Sequence, residues 1–99
     1  MKRLTYLSVA EAELAEAALY YDTREPGLGR MFVDAVCDVT ADLQQNPGRW
    51  AFVEPPVRGC RVWPYPYRLL YRELPDRLQI IAVVHLSRRP GYWKDRIYS

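Results

Sequence analysis

A chain of 99 residues has room for one small domain, expected to span residues 1–99, and none for separate catalytic and regulatory halves. Its composition, 49% hydrophobic, 13% aromatic and 26% charged, is that of a chain that packs a core and excludes a disordered one. The net charge of +2 hides a division: residues 1–46 carry four basic against eight acidic side chains, residues 47–99 ten against four, and twelve of the fourteen basic residues are Arg.

The first predicted element is a short strand, Leu4 to Leu7. Ser8-Val9-Ala10-Glu11 follows with capping-box spacing, so a helix is expected to begin near Val9. Ala10, Leu14, Ala17, Ala18 and Tyr21 recur at helical spacing, and Glu11, Glu13, Glu16 and Asp22 lie largely off that stripe. Arg24-Glu25-Pro26-Gly27 interrupts the pattern, because proline and glycine disfavour a helix interior. A second helix is predicted over 28–45, about 27 Å long, ended by Asn46-Pro47-Gly48. The short connection implies an antiparallel helical hairpin.

After a proline-broken stretch from Arg49 to Pro56 the period changes to two. Val57 to Trp63, Tyr67 to Leu74 and Leu78 to His85 read as three strands of an antiparallel meander, the last apolar on both sides and so central. The segment from Pro90 to Ile97 supplies a last short helical turn. The expected fold is α+β, ordered β-α-α-β-β-β, with the hairpin on one face of a small antiparallel sheet and arginines free on the other.

Much chemistry is excluded. There is no phosphate-loop motif, and Gly27-Leu28-Gly29 lacks the rest of a dinucleotide fingerprint. One histidine and two distant cysteines show no metal-ligand spacing, so neither metal nor other cofactor is expected, and Cys37 and Cys60 read as small core residues. No signal peptide is expected. The longest uncharged stretch, Leu78 to Ser87, falls short of the roughly 20 residues that a membrane span requires, so a cytoplasmic protein is expected. Ser87 near His85 is a weak nucleophile–base pair with no acidic residue to orient it.

What remains is a cluster of Arg58, Arg61, Arg68, Arg72, Arg88 and Arg89 with His85, Tyr92 and Trp93. Guanidinium groups bind phosphate and carboxylate in bidentate fashion, and rings beside them suit RNA or single strands. Histidine is the side chain whose reference value, about 6.5, lies nearest neutrality, so His85 is the candidate for acid or base work. A lone histidine ending a buried strand is more often a hydrogen-bonded structural residue than a catalyst, and capping the core is the commoner role for large aromatics such as Tyr92 and Trp93 in a small domain.

Several segments together carry a family resemblance. Ala17-Ala18-Leu19-Tyr20-Tyr21, Phe32, Leu43-x-x-Asn46-Pro47, Arg61, Pro64-Tyr65-x-Tyr67-Arg68-Leu69-Leu70-Tyr71-Arg72 and Ile80-x-Ala82-Val83-x-His85-x-x-Arg88-x-Pro90 stand in an order that resembles the RelE/ParE toxin superfamily, over Leu4 to about Arg96. The resemblance implies the toxin of a type II toxin–antitoxin module, a plasmid stabilisation protein held inactive in a hetero-oligomer by a cognate antitoxin. RelE-like members cleave mRNA on the translating ribosome, and ParE-like members poison DNA gyrase. A RelE-like reading assigns catalysis to Arg68, His85, Arg88 and Tyr92. The early meander offers only Arg58 and Arg61 where ribonuclease members place lysines or a glutamate, and the His85-x-x-Arg88 ending resembles the ParE side. The expectation is therefore a ParE-like gyrase poison, with Arg58, Arg61, Arg68, Arg88, Arg89 and Trp93 meeting target or antitoxin. The alternatives are the ribonuclease and an inactive binding module of the same fold.

Overall fold

The computed structural model describes residues 2–98. In chain order the elements are β1 (Arg3–Tyr6), α1 (Ser8–Arg24), α2 (Leu28–Gln45), β2 (Phe52–Glu54), β3 (Val57–Arg61), β4 (Tyr67–Glu73), β5 (Arg77–His85) and α3 (Asp95–Tyr98). The strands form one sheet in the order β1-β5-β4-β3-β2, and α1 and α2 pack on one face of it. The α+β expectation holds, with two additions. β2 is a three-residue edge strand inside the proline-broken stretch, too short to show a period. β1 pairs with β5 in parallel, Arg3 opposite Arg77 and Tyr6 opposite Ile80, whereas the remaining pairs are antiparallel.

The hairpin forms as its spacing predicts, with α2 over the expected residues. Two details differ. Helix α1 starts at Ser8 and is capped by Leu7, whose carbonyl accepts the Glu11 N–H at 3.0 Å. Ser8 thus already lies in the first turn, one position too late to close a capping box. Cys37 is exposed on α2, and only Cys60 is buried. The two helices meet closely at Gly29, where a Cβ would collide with the Ala18 carbonyl, and the Gly29 N–H donates to Asp22 Oδ1 at 2.8 Å.

Two apolar clusters lie on opposite sides of the sheet. On the helix side Phe32, Val36 and Leu43 pack against Val62, Leu69, Tyr71, Ile80 and Val83. On the second side Val57, Leu70, Ile81, Ala82 and Val84 pack against Trp93. A bulge in β5 allows this, because the register slips between Leu70↔Ala82 and Tyr71↔Ile80 and turns both Ile81 and Ala82 to the second side. The chain after β5 therefore folds back over the second face. The expectation that this face is left free for arginines is corrected: its centre is a second small core.

Candidate functional site

The arginines of the meander do not share one surface. Arg58 lies opposite Tyr71, which belongs to the helix-side cluster; its guanidinium stacks 3.9 Å from the Phe52 ring and donates to the Trp50 carbonyl at 2.7 Å. Arg61 and Arg68 are cross-strand partners facing the second side, since Arg68 also pairs with Val84. Arg61 stacks 4.0 Å from the ring of Trp63, which is 71% exposed, and donates through Nε to the Tyr65 carbonyl at 3.1 Å. Arg72 is drawn away to Gln79, Nε to Oε1 at 2.9 Å.

Arg68 is the unusual member. Its Nε is buried and has no hydrogen-bond acceptor among the described residues. Its stem passes over Gly59, where an added Cβ would lie 3.5 Å from Arg68 Cδ and only 2.7 Å from Val53 Cγ2. A side chain at position 59 would therefore displace Val53 and press on Leu70 Cδ2, 3.2 Å away, while meeting the arginine stem at ordinary contact distance.

Arg68 lines a cavity of about 360 Å³ between the end of β5, the edge strand β2 and the chain over the second face. Arg88, Arg89, Lys94, His85 and Glu54 share its wall. Lys94 Nζ pairs with Glu54 Oε2 at 3.2 Å, and Arg68, Arg88 and Arg89 have no carboxylate partner among the described residues. At His85, Nδ1 accepts the Ser87 N–H at 3.0 Å, with the Ser87 hydroxyl at 2.7 Å, and the ring meets Tyr67 edge-on at 5.1 Å. The Ser87–His85 contact thus closes a turn after β5, since the backbone N–H and the hydroxyl converge on one ring nitrogen. His85 also borders the neighbouring groove lined by Tyr20 and Tyr67.

Tyr92 and Trp93 are held internally. Trp93 is 4% exposed and belongs to the second core, and it also lines the cavity from that side. The Tyr92 hydroxyl donates to Glu13 Oε2 at 2.6 Å, and Arg88 lies 3.9 Å from its ring. Burial, aided by the bond to Glu13, pushes the Tyr92 phenol up to about 12, so it stays protonated near neutrality.

Glu13 and Arg96 escaped the sequence reading. Arg96 Nη1 and Nη2 donate to Glu13 Oε1 and Oε2 at 2.8 and 3.0 Å, and the pair is largely buried, with side chains 17% and 14% exposed. Burial alone would raise the Glu13 carboxyl; hydrogen bonds from Arg96, Tyr92 and the Val83 N–H, together with the Arg96 charge, hold it below its ordinary 4.5. One signal was available: Glu13 lies three residues after Ala10 and four before Ala17, both buried, and so belongs to the inward stripe. Among the described residues no group of three or more His, Cys, Asp or Glu side chains is placed to hold a metal ion, and no helix is long and apolar enough to cross a membrane.

A helical hairpin on a five-stranded sheet, with a basic cavity beside the last strand, defines a class of small α+β proteins. Residues 4–90 match the family model described as ParE toxin of type II toxin–antitoxin system, parDE, and the chain belongs to that family. Nine chains of known structure match. One of them, from "Chromosomal ParDE TA system from P. aeruginosa", is 21% identical over 86% of this chain and 96% of that chain, with a TM-score of 0.75, which shows a common fold. No curated protein matches.

Proposed function

We propose that this ParE-family toxin inhibits growth by ParE-like action on DNA gyrase in the cytoplasm and is neutralised by a cognate antitoxin in a toxin–antitoxin hetero-oligomer. The observation that carries the proposal is the family match over residues 4–90. The site supports it. Arg61 with exposed Trp63, and Arg68, Arg88 and Arg89 around the cavity, give a cationic surface with an apolar component, suited to acidic protein partners. Arg58 lies on the other side of the sheet and belongs to a separate contact.

The ribonuclease reading draws less support, because it requires Tyr92 for proton transfer or orientation. That hydroxyl is bound to Glu13 and its acidity is suppressed. The proposed activity is therefore not enzymatic.

Purified toxin is expected to block gyrase supercoiling, and the antitoxin encoded beside it to relieve the block. Unaffected supercoiling at large molar excess, with toxicity intact in cells, rejects the gyrase target. Mapping 5′ ends of mRNA after induction then decides the alternative, since cuts within translated codons mark a ribonuclease.

A further inference from the structure

We infer that Trp63, braced by Arg61, is a rigid anchor that enters an apolar pocket rimmed by carboxylates on a folded partner protein, and that this partner is the toxin's target and not its antitoxin. This rests on the toxin reading above, in which the folded target is gyrase, and adds the side chain that the target recognises.

Trp63 is 71% exposed, more than any other large apolar side chain among the described residues. An indole left in water forgoes the burial that makes aromatic rings dominate cores and interfaces. A slack loop does not account for it. In the connection between β3 and β4 the Val62 N–H donates to the Tyr67 carbonyl at 2.9 Å, and the Tyr65 N–H to the Val62 carbonyl at 2.8 Å. Val62 is fully buried, and the Tyr65 ring packs 5.2 Å from that of Tyr21 and 5.1 Å from that of Phe32 on the helix side. Pro64 and Pro66 fix a backbone torsion on each side of Tyr65. The neighbours of Trp63 are thus fastened to the core, and the indole projects from a fixed base.

The Arg61 guanidinium lies 4.0 Å from the centre of the indole ring and is itself tied through Nε to the Tyr65 carbonyl at 3.1 Å, so it braces the ring and sets a positive charge beside it. Arg61 has no carboxylate partner among the described residues, and Arg68 stands opposite it in the register. Tryptophan and arginine are enriched among the few residues that carry most of the binding energy at protein interfaces, and side chains already held in place lose little freedom on docking. Shape and charge select the partner. A projecting indole requires a concave receptor, which a folded protein offers and a short extended segment does not. The neighbouring cations call for carboxylates at its rim. A single-stranded nucleic acid fits less well, because it needs successive rings to stack on, and the next ring in the loop, Tyr65, is packed inward.

The test compares full-length wild type, Trp63→Ala, Trp63→Phe, Arg61→Ala and a control, Met31→Ala, which trims a side chain that is 60% exposed on α2. Each is measured for thermal melting, for calorimetric affinity to the antitoxin encoded beside it, for inhibition of gyrase supercoiling and for growth arrest on induction. Trp63→Ala is expected to melt like wild type, to bind the antitoxin equally well and to need about thirty-fold more protein to inhibit supercoiling. Arg61→Ala and Trp63→Phe, each of which keeps part of the anchor, are expected to need about five-fold more, and Met31→Ala no more than wild type. Undiminished inhibition by Trp63→Ala overturns the inference and leaves the gyrase reading standing. A wild type that arrests growth but spares gyrase rejects the gyrase reading alone; loss of arrest in Trp63→Ala then supports the anchor on another target, and retained arrest overturns it. A wild type that does neither removes both. Weaker antitoxin binding by Trp63→Ala assigns the ring to the antitoxin, a collapse of its melting temperature makes the ring structural, and binding of a single-stranded oligonucleotide that this variant abolishes reassigns the ring to nucleic acid; each of these overturns the inference.

Discussion

Arg96 and Arg68 are both partly buried guanidinium groups beside β5, and they are in opposite states. Arg96 meets both oxygens of Glu13 and also donates to the Ile81 carbonyl at 2.9 Å, so its planar fork is filled. Arg68 has a buried Nε with no acceptor among the described residues. The difference separates a charge that the architecture satisfies from one that it leaves unpaired.

The reason for the Arg96 arrangement lies in the sheet edge. β1 pairs with β5 only as far as Ile80, and beyond that the outer edge of β5 presents a carbonyl at Ile81 and an N–H at Val83 without a strand to pair them. Arg96 takes the carbonyl, and Glu13 accepts the N–H at 3.1 Å. Two side chains 83 residues apart thus finish the edge and bind the chain over the second face to α1.

Removing one partner of the satisfied pair has the largest expected effect. Glu13→Ala leaves Arg96 buried and uncompensated and the Val83 N–H unpaired, and is expected to destabilise the protein by about 3–5 kcal/mol in urea titrations. A loss under about 1 kcal/mol shows that water replaces the carboxylate and that the pair is no latch. Gly59→Ala is expected to cost about 1–3 kcal/mol, since Val53 has to shift and Leu70 to give slightly to admit the methyl group. Calorimetric melting of this variant tests how tightly the edge strand β2 is held against β3.

The pH dependence sharpens the contrast. The Glu13 carboxyl is lowered in the folded state below its ordinary 4.5, so its contribution to stability is fully present above that value and is lost as pH falls through the folded one. Urea midpoints of wild type and Glu13→Gln are expected to differ at pH 7 and to converge as acid protonates Glu13. A constant difference down to pH 3 disproves the assignment. Tyr92→Phe removes one donor to Glu13, and about 1 kcal/mol of stability is expected to go with it. Unchanged toxicity in a variant that still folds places Tyr92 in the framework, while abolished toxicity returns it to the active surface.

The smallest stability effect is expected at the unsatisfied arginine. Arg68→Met replaces a partly buried guanidinium whose Nε has no acceptor among the described residues with an apolar chain of similar reach, and stability is expected to be unchanged or raised by up to about 1 kcal/mol. A collapse of stability there makes Arg68 structural and removes the contrast with Arg96.

The α2 bounds, β4 and β5 were legible because hydrophobic period and proline punctuation are local. β2 was not, since three residues cannot display a period, and neither was the parallel docking of β1, which depends on residues over 70 positions away. At the site, the types and positions of Arg68, His85 and Arg88 were readable. What separated them was not. Arg58 faces the helix side by register, Trp93 is a core residue, and the role of Glu13 depends on Arg96, so no local pattern distinguishes a bound arginine from an available one.

The slip at Ile81 has one last consequence. Strict alternation after Ile80 would turn Val83 and His85 toward Arg61 and Arg68; the extra residue reverses the phase, and His85 comes to stand opposite Tyr67 on the helix side. β5 is in this sense two short strands spliced out of step, the first keyed to the amino-terminal strand and the second to the mouth of the cavity. Position 81 therefore contributes an extra residue as well as a buried side chain: trimming it keeps each later side chain on its side and opposite its present β4 partner, and removes Ile81 from the second core.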